Sequence, residues 1–109
     1  MGLINSPPKL DDPLQVAWLA GILEGEGWFG RIKGYPIIEI NMTDLDVIER
    51  VADLFGAIGI STIQRSKIKP TYKNSYRTRA TGERAKMIMR AVCPWLGERR
   101  QQAIQDLKE

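Results

Sequence analysis

Eight consecutive residues, Val16-Ala17-Trp18-Leu19-Ala20-Gly21-Ile22-Leu23, carry no charged or hydroxyl-bearing side chain, and this run restricts the fold more than any other feature. Asp12-Pro13 precedes it, an acid suited to capping a helix and the residue best tolerated at the first helical position. Together they predict a helix over Leu14–Glu24 that is apolar all round, and such a helix needs cover on every side. One small domain can hardly supply that cover, so part of the helix is expected to face a partner. Gly21 and Gly25 stand four apart on one helical face, where missing side chains let a second helix come close. Ala17, Gly21, Ile22 and Gly25 are the candidate contact residues.

With 109 residues, the chain is expected to form a single domain over 1–109, with residues 1–12 as a loose arm. No stretch has the length or apolarity of a membrane span or the layout of a signal peptide, and the lone Cys93 cannot pair within the chain. A cytoplasmic location is therefore expected. Histidine is absent. That removes a histidine general base, Ser-His and Cys-His arrangements, Cys/His zinc sites and the nucleases built on histidine. Any catalysis rests on carboxylates, lysines, arginines, water and an oxygen-bound cation; no organic cofactor is implied.

The formal charge is +3, but residues 60–81 hold Arg65, Lys67, Lys69, Lys73, Arg77 and Arg79 and no acid. A basic block on a nearly neutral body is the footprint of a polyanionic partner. A solvated edge hairpin made basic against aggregation would look the same.

Further along, Gly27–Lys33 and Ile37–Thr43 read as a hairpin across Gly34-Tyr35-Pro36. In its second strand Ile38, Ile40 and Met42 alternate with Glu39, Asn41 and Thr43. Thr43-Asp44-Leu45-Asp46 resembles a capping box opening a helix that stops at Gly56. Ile60–Lys69 and Ser75–Thr81 form a second hairpin across Pro70–Asn74, with its cations at shared parity. Helices follow over Glu83–Val92, before Pro94, and over Gly97–Lys108.

Leu19-Ala20-Gly21-Ile22-Leu23-Glu24-Gly25-Glu26-Gly27 closely resembles the signature of the LAGLIDADG family, with both acids as Glu. Gly27-Trp28-Phe29 and Met42-Thr43-Asp44 are also similar to family members. So is Cys93-Pro94-Trp95-Leu96-Gly97-Glu98-Arg99-Arg100-Gln101-Gln102-Ala103, which resembles a proline–aromatic–leucine segment leading to a basic residue and Gln-Ala. The resemblance spans about 14–103. It implies an α+β, αββαββα fold with a C-terminal helix and a four-stranded antiparallel saddle sheet. Gly25-Glu26-Gly27-Trp28-Phe29-Gly30 also matches a dinucleotide-binding glycine pattern, but that pattern needs a strand before it and a helix after it, the reverse of the order here.

A carboxylate at a helix C-terminus opposes the macrodipole, so Glu24 and Glu26 point to another use, and holding a hard cation is the obvious one. The resemblance implies Glu26 as metal ligand beside the scissile phosphate, one from each protomer, joined by the backbone carbonyl of Gly25. Glu24 is structural on the same reading. It further implies Mg²⁺ or Mn²⁺, Arg99 as electrostatic support, double-stranded DNA as substrate, and a homodimer cutting both strands of a pseudo-palindromic target. The size fits a prokaryotic or phage host cell.

The DNA-binding residues implied are Arg65, Lys67, Lys69, Arg77 and Arg79 on the second hairpin and Glu39, Asn41 and Thr43 on the first. For the first strand, counting by twos from Glu26 selects Trp28, Gly30 and Ile32, whereas charge selects Arg31 and Lys33, which a bulge would permit. The charge-based choice is the one adopted. The competing function is a non-cleaving DNA- or RNA-binding protein, a maturase or regulator, on the same scaffold.

Overall fold

The computed structural model describes residues 6–64 and 68–107. Helix α1 (Pro13–Glu26) begins as its sequence dictates: Asp12 accepts the backbone N–H of Leu14 at 2.9 Å, and Pro13 occupies the first turn. It runs two residues further than expected and leads directly into strand β1 (Gly27–Ile32). Val16, Leu19, Ala20 and Leu23 recur at helical spacing and are buried.

The turn joining β1 to β2 (Tyr35–Met42) is Lys33-Gly34, with φ of 52° and 84° at its two residues. Two successive positive φ values make the tight turn whose twist suits a hairpin, and Gly34 takes the second without strain. The turn expected at Gly34-Tyr35-Pro36 therefore shifts back, and Tyr35 pairs with Ile32 as part of the ladder.

Helix α2 (Leu45–Leu54) opens from Asp44 with no side-chain cap, so the expected capping box does not form. It buries Ile48, Val51, Ala52 and Leu54 and ends at Phe55. Strand β3 (Ser61–Ile63) has three residues, against the ten expected, and pairs with β4 (Ser75–Thr81) from Ser61–Arg77 to Ile63–Ser75. Residues 65–67 of the strand expected over Ile60–Lys69 lie outside the described residues. Helices α3 (Gly82–Val92) and α4 (Glu98–Asp106) follow, joined by a single 3₁₀ turn at Cys93–Trp95.

The four strands form one antiparallel sheet in the order β1-β2-β4-β3. Phe29, Ile38, Ile40 and Ala80 point to the helices and join Leu19, Leu23, Phe55, Ile88 and Val92 in the core. The helices cover one sheet face; the other is open.

The arm is tied down from Ser6 onward, which corrects the expectation of a loose segment for residues 6–12. Pro8 is buried, and the Lys9 backbone N–H donates to the carbonyl of Leu54 at 2.8 Å. Lys9 Nζ also pairs with Asp53 Oδ1 at 2.5 Å, and the Arg84 guanidinium donates to the carbonyls of Ser6 and Phe55. The gain is the satisfaction of orphan carbonyls at the end of α2.

Candidate cleavage centre and nucleic-acid face

One face of α1 is left uncovered by the described residues. Leu14 is 80% exposed, and a Cβ placed on Gly21 or Gly25 would meet no neighbouring atom within 4 Å. Ala17, Trp18 and Ile22 beside them are half-buried. Nothing among the described residues requires glycine at either position, although each glycine costs a helix about 1 kcal/mol relative to alanine. Arg50 stacks on the Trp18 ring, 3.8 Å from its centroid, and donates to Gln15 Oε1 at 3.0 Å.

At the end of α1 the two acids of the motif part company. Glu24 is half-buried, and its Oε1 accepts the Gly97 N–H at 2.7 Å, tying the residue ahead of α4 to the helix end. Glu26 is exposed and has no hydrogen-bond or ion-pair partner among the described residues. Immediately after it, the carbonyl of Gly27 accepts from Arg100 Nη1 at 2.6 Å. A cation there offsets the negative end of the helix dipole. Arg100 also lies 5.9 Å from the Phe29 ring, and its Nε is buried without a partner among the described residues. Arg99, the residue implied by the family resemblance, is exposed and has no hydrogen-bond or ion-pair partner among the described residues. Arg100 is the cation that meets the backbone here, and the sequence reading passed over it. Its only signal was the pair of adjacent arginines, which do not say which one turns inward.

Strand parity decides the open face of the sheet. Phe29 lies in the core, so Trp28, Gly30 and Ile32 point the other way. Arg31 shares the parity of Phe29 and donates to the carbonyl of Leu107, on the helix side. No bulge interrupts the ladder from Gly27–Ile40 to Ile32–Tyr35, so Arg31 lies on the helix side of the sheet and not on its open face. Lys33 sits exposed in the turn. The Trp28 ring folds over Gly30, where a Cβ would come within 2.2 Å of the indole. Ile37, opposite Gly30, is only 3% exposed yet stands apart from the helix-side core.

The middle of this face, on the two central strands, is polar. Across the strands run Trp28, Glu39 and Arg79 in one row, and Asn41, Arg77 and Ser61 in the next. Asn41 is exposed, and Arg77 is half-buried with no hydrogen-bond or ion-pair partner among the described residues. Arg79 and Glu39 hold each other: Nε and Nη2 of the arginine both donate to Glu39 Oε1, at 3.0 and 2.7 Å. Thr43 lies beyond the end of β2 in an exposed bend, and Lys69 lies outside β3 with its Nζ 5.5 Å from the Tyr72 ring. Arg65 and Lys67 lie outside the described residues.

A family model described as a LAGLIDADG-like domain matches residues 13–90. The chain belongs to the LAGLIDADG family. Comparison with curated proteins and with solved structures gave no match. In LAGLIDADG terms, the matched span takes in the motif helix, both hairpins and most of α3, and ends before the segment that carries Arg99 and Arg100. Membership makes this a protein of the homing endonuclease and maturase group, whose nucleases generally use a divalent metal. Among the described residues no group of three or more His, Cys, Asp or Glu side chains is arranged to hold a metal ion, and no helix is long and apolar enough to cross a membrane.

Proposed function

We propose that this LAGLIDADG chain is a site-specific DNA endonuclease that acts as a homodimer on a pseudo-palindromic duplex, with Mg²⁺ or Mn²⁺. The observation that carries the reading is the pairing of an open, glycine-notched helix face with an exposed carboxylate, Glu26, that has no partner among the described residues. Packing α1 against its copy through Ala17, Gly21, Ile22 and Gly25 covers the apolar face and brings two Glu26 side chains to the dimer axis.

The donor chemistry fits a hard divalent cation. Glu26 supplies carboxylate oxygens, and the last carbonyls of a helix, that of Gly25 among them, have no intrahelical donor. A cation held there would supply an activated water for phosphodiester hydrolysis and would neutralise charge on the phosphate. The chain's own groups do the positioning. Glu24 locks the segment before α4 onto the helix end, Arg100 fixes the backbone where α1 becomes β1, and Arg99 lends positive potential to the developing charge. The open sheet face, with Asn41, Arg77, Arg79 and Glu39, meets the bases and backbone of DNA. Lys33, Thr43, Lys69, Arg65 and Lys67 add contacts around it. Arg31 contributes through its hold on the end of α4.

The test is a random duplex library incubated with Mg²⁺ and either the wild type or Glu26→Gln, with bound molecules and cut ends both sequenced. Discrete cuts at a near-palindromic site by the wild type, with uncut binding of that site by the variant, are expected. Binding by both without cutting by either would make the protein a nucleic-acid binder on the same scaffold.

A further inference from the structure

The Glu39–Arg79 pair does not fit the role of a simple phosphate contact. Both residues lie on the open face, directly opposite each other on the two central strands. Their side chains remain 25% and 37% exposed, so the pair is open to a ligand from above. An acid in the middle of a surface meant for DNA repels phosphates, which makes Glu39 a liability for sequence-independent binding. As an ordinary surface ion pair it would contribute little to folding.

The detailed geometry gives the pair another use. Both Arg79 contacts go to a single oxygen, Glu39 Oε1. The Nε edge of the guanidinium is therefore occupied, while Nη1 keeps both of its N–H groups and Nη2 keeps one. Those donors lie along the end of the fork, the edge that matches O6 and N7 of guanine. Glu39 Oε2 accepts no hydrogen bond among the described residues, and a carboxylate oxygen is the acceptor suited to the N4 amino group of cytosine. In the major groove, guanine O6 and cytosine N4 of one base pair sit side by side.

We propose that Glu39 and Arg79 act together as a reader of one G·C base pair in each half-site, with Glu39 holding the arginine fork in place before DNA arrives. Arg79 donates two hydrogen bonds to guanine, and Glu39 accepts one from cytosine. Holding the fork in advance lowers the rotamer entropy lost on binding. Glu39 is then a specificity-determining residue that discriminates against A·T, where adenine offers a donor in place of guanine O6. This inference rests on the open sheet face being the DNA surface.

The experiment is affinity selection from a random duplex library with the wild-type protein, Arg79→Lys and Glu39→Gln, each first checked for a cooperative thermal transition. The wild type is expected to select G·C at one fixed position of each half-site. Arg79→Lys loses the two-pronged fork and should relax that position by about 5- to 150-fold, leaving preferences elsewhere intact. Glu39→Gln keeps the size but loses the charge, and should relax the same position while binding to unrelated duplex rises. Identical selected sites for all three proteins would overturn the proposal and leave DNA binding standing. Failure of the wild type to enrich any duplex would overturn the DNA reading itself, and this inference with it.

Discussion

The two sides of the α1 C-terminus differ in a way that separates architecture from chemistry. On one side Glu24 is half-buried and bound to the backbone ahead of α4; on the other, two residues later, Glu26 is exposed and without a partner among the described residues. Both carboxylates oppose the same helix dipole. For Glu24 the opposition is offset by a charge-assisted hydrogen bond and for the nearby backbone by Arg100. For Glu26 the described residues supply nothing comparable. An acid placed at an unfavourable helix end and left unanswered points to a ligand from outside.

The comparison breaks first, and hardest, at Glu26. Glu26→Gln should lower the cleavage rate at least about 100-fold while thermal stability holds or rises slightly, since a charge opposing the helix dipole is removed. A variant that still cuts at the wild-type rate would remove Glu26 from the reaction. Next in size is Gly21→Leu, which places a bulky side chain in the open notch and asks whether Glu26 works only when doubled. At a concentration where the wild type sediments as a dimer the variant should sediment as a monomer, and cleavage should be lost although the monomer stays folded; a dimeric, active variant would relocate the interface.

Glu24 should show the opposite profile. Glu24→Ala removes the acceptor for Gly97 and should cost about 1–2 kcal/mol of stability, read as a fall in Tm. Residual cleavage at low temperature should survive. The smallest effect lies away from both acids. Arg77→Gln should reduce the slope of log binding constant against log salt by about 1, without changing the selected sequence. An altered sequence preference would move Arg77 from phosphate contact to base reading.

Elements defined by local chemistry were legible in the sequence, and those defined across the sheet were not. Asp12-Pro13 announced α1, and the Ile38–Ile40–Met42 alternation announced β2 and its inward face. The first turn was misplaced because Lys33, not a typical turn residue, takes one of the two positive φ values. β3 was overextended because alternating cations read as strand parity, while its partner reaches only to Ser75. At Arg31 charge and strand parity disagree, and what draws the side chain to the helix side, the Leu107 carbonyl, is far away in sequence. The motif acids were visible as a pair, but their different surroundings depend on Gly97 and Arg100, more than seventy residues downstream.

The brevity of α1 has a consequence for how the proposed dimer works in a cell. Its 14 residues make a rod only about 21 Å long, so a dimer held through that face alone would have a small interface and would come apart at low abundance. The two protomers would then meet most readily on the target, whose two half-sites raise the local concentration of each for the other. Cleavage would rise roughly with the square of protein concentration at the low end. A host expressing only traces of this protein would be spared breaks at stray half-sites, and the threshold for cutting would be set by gene dosage.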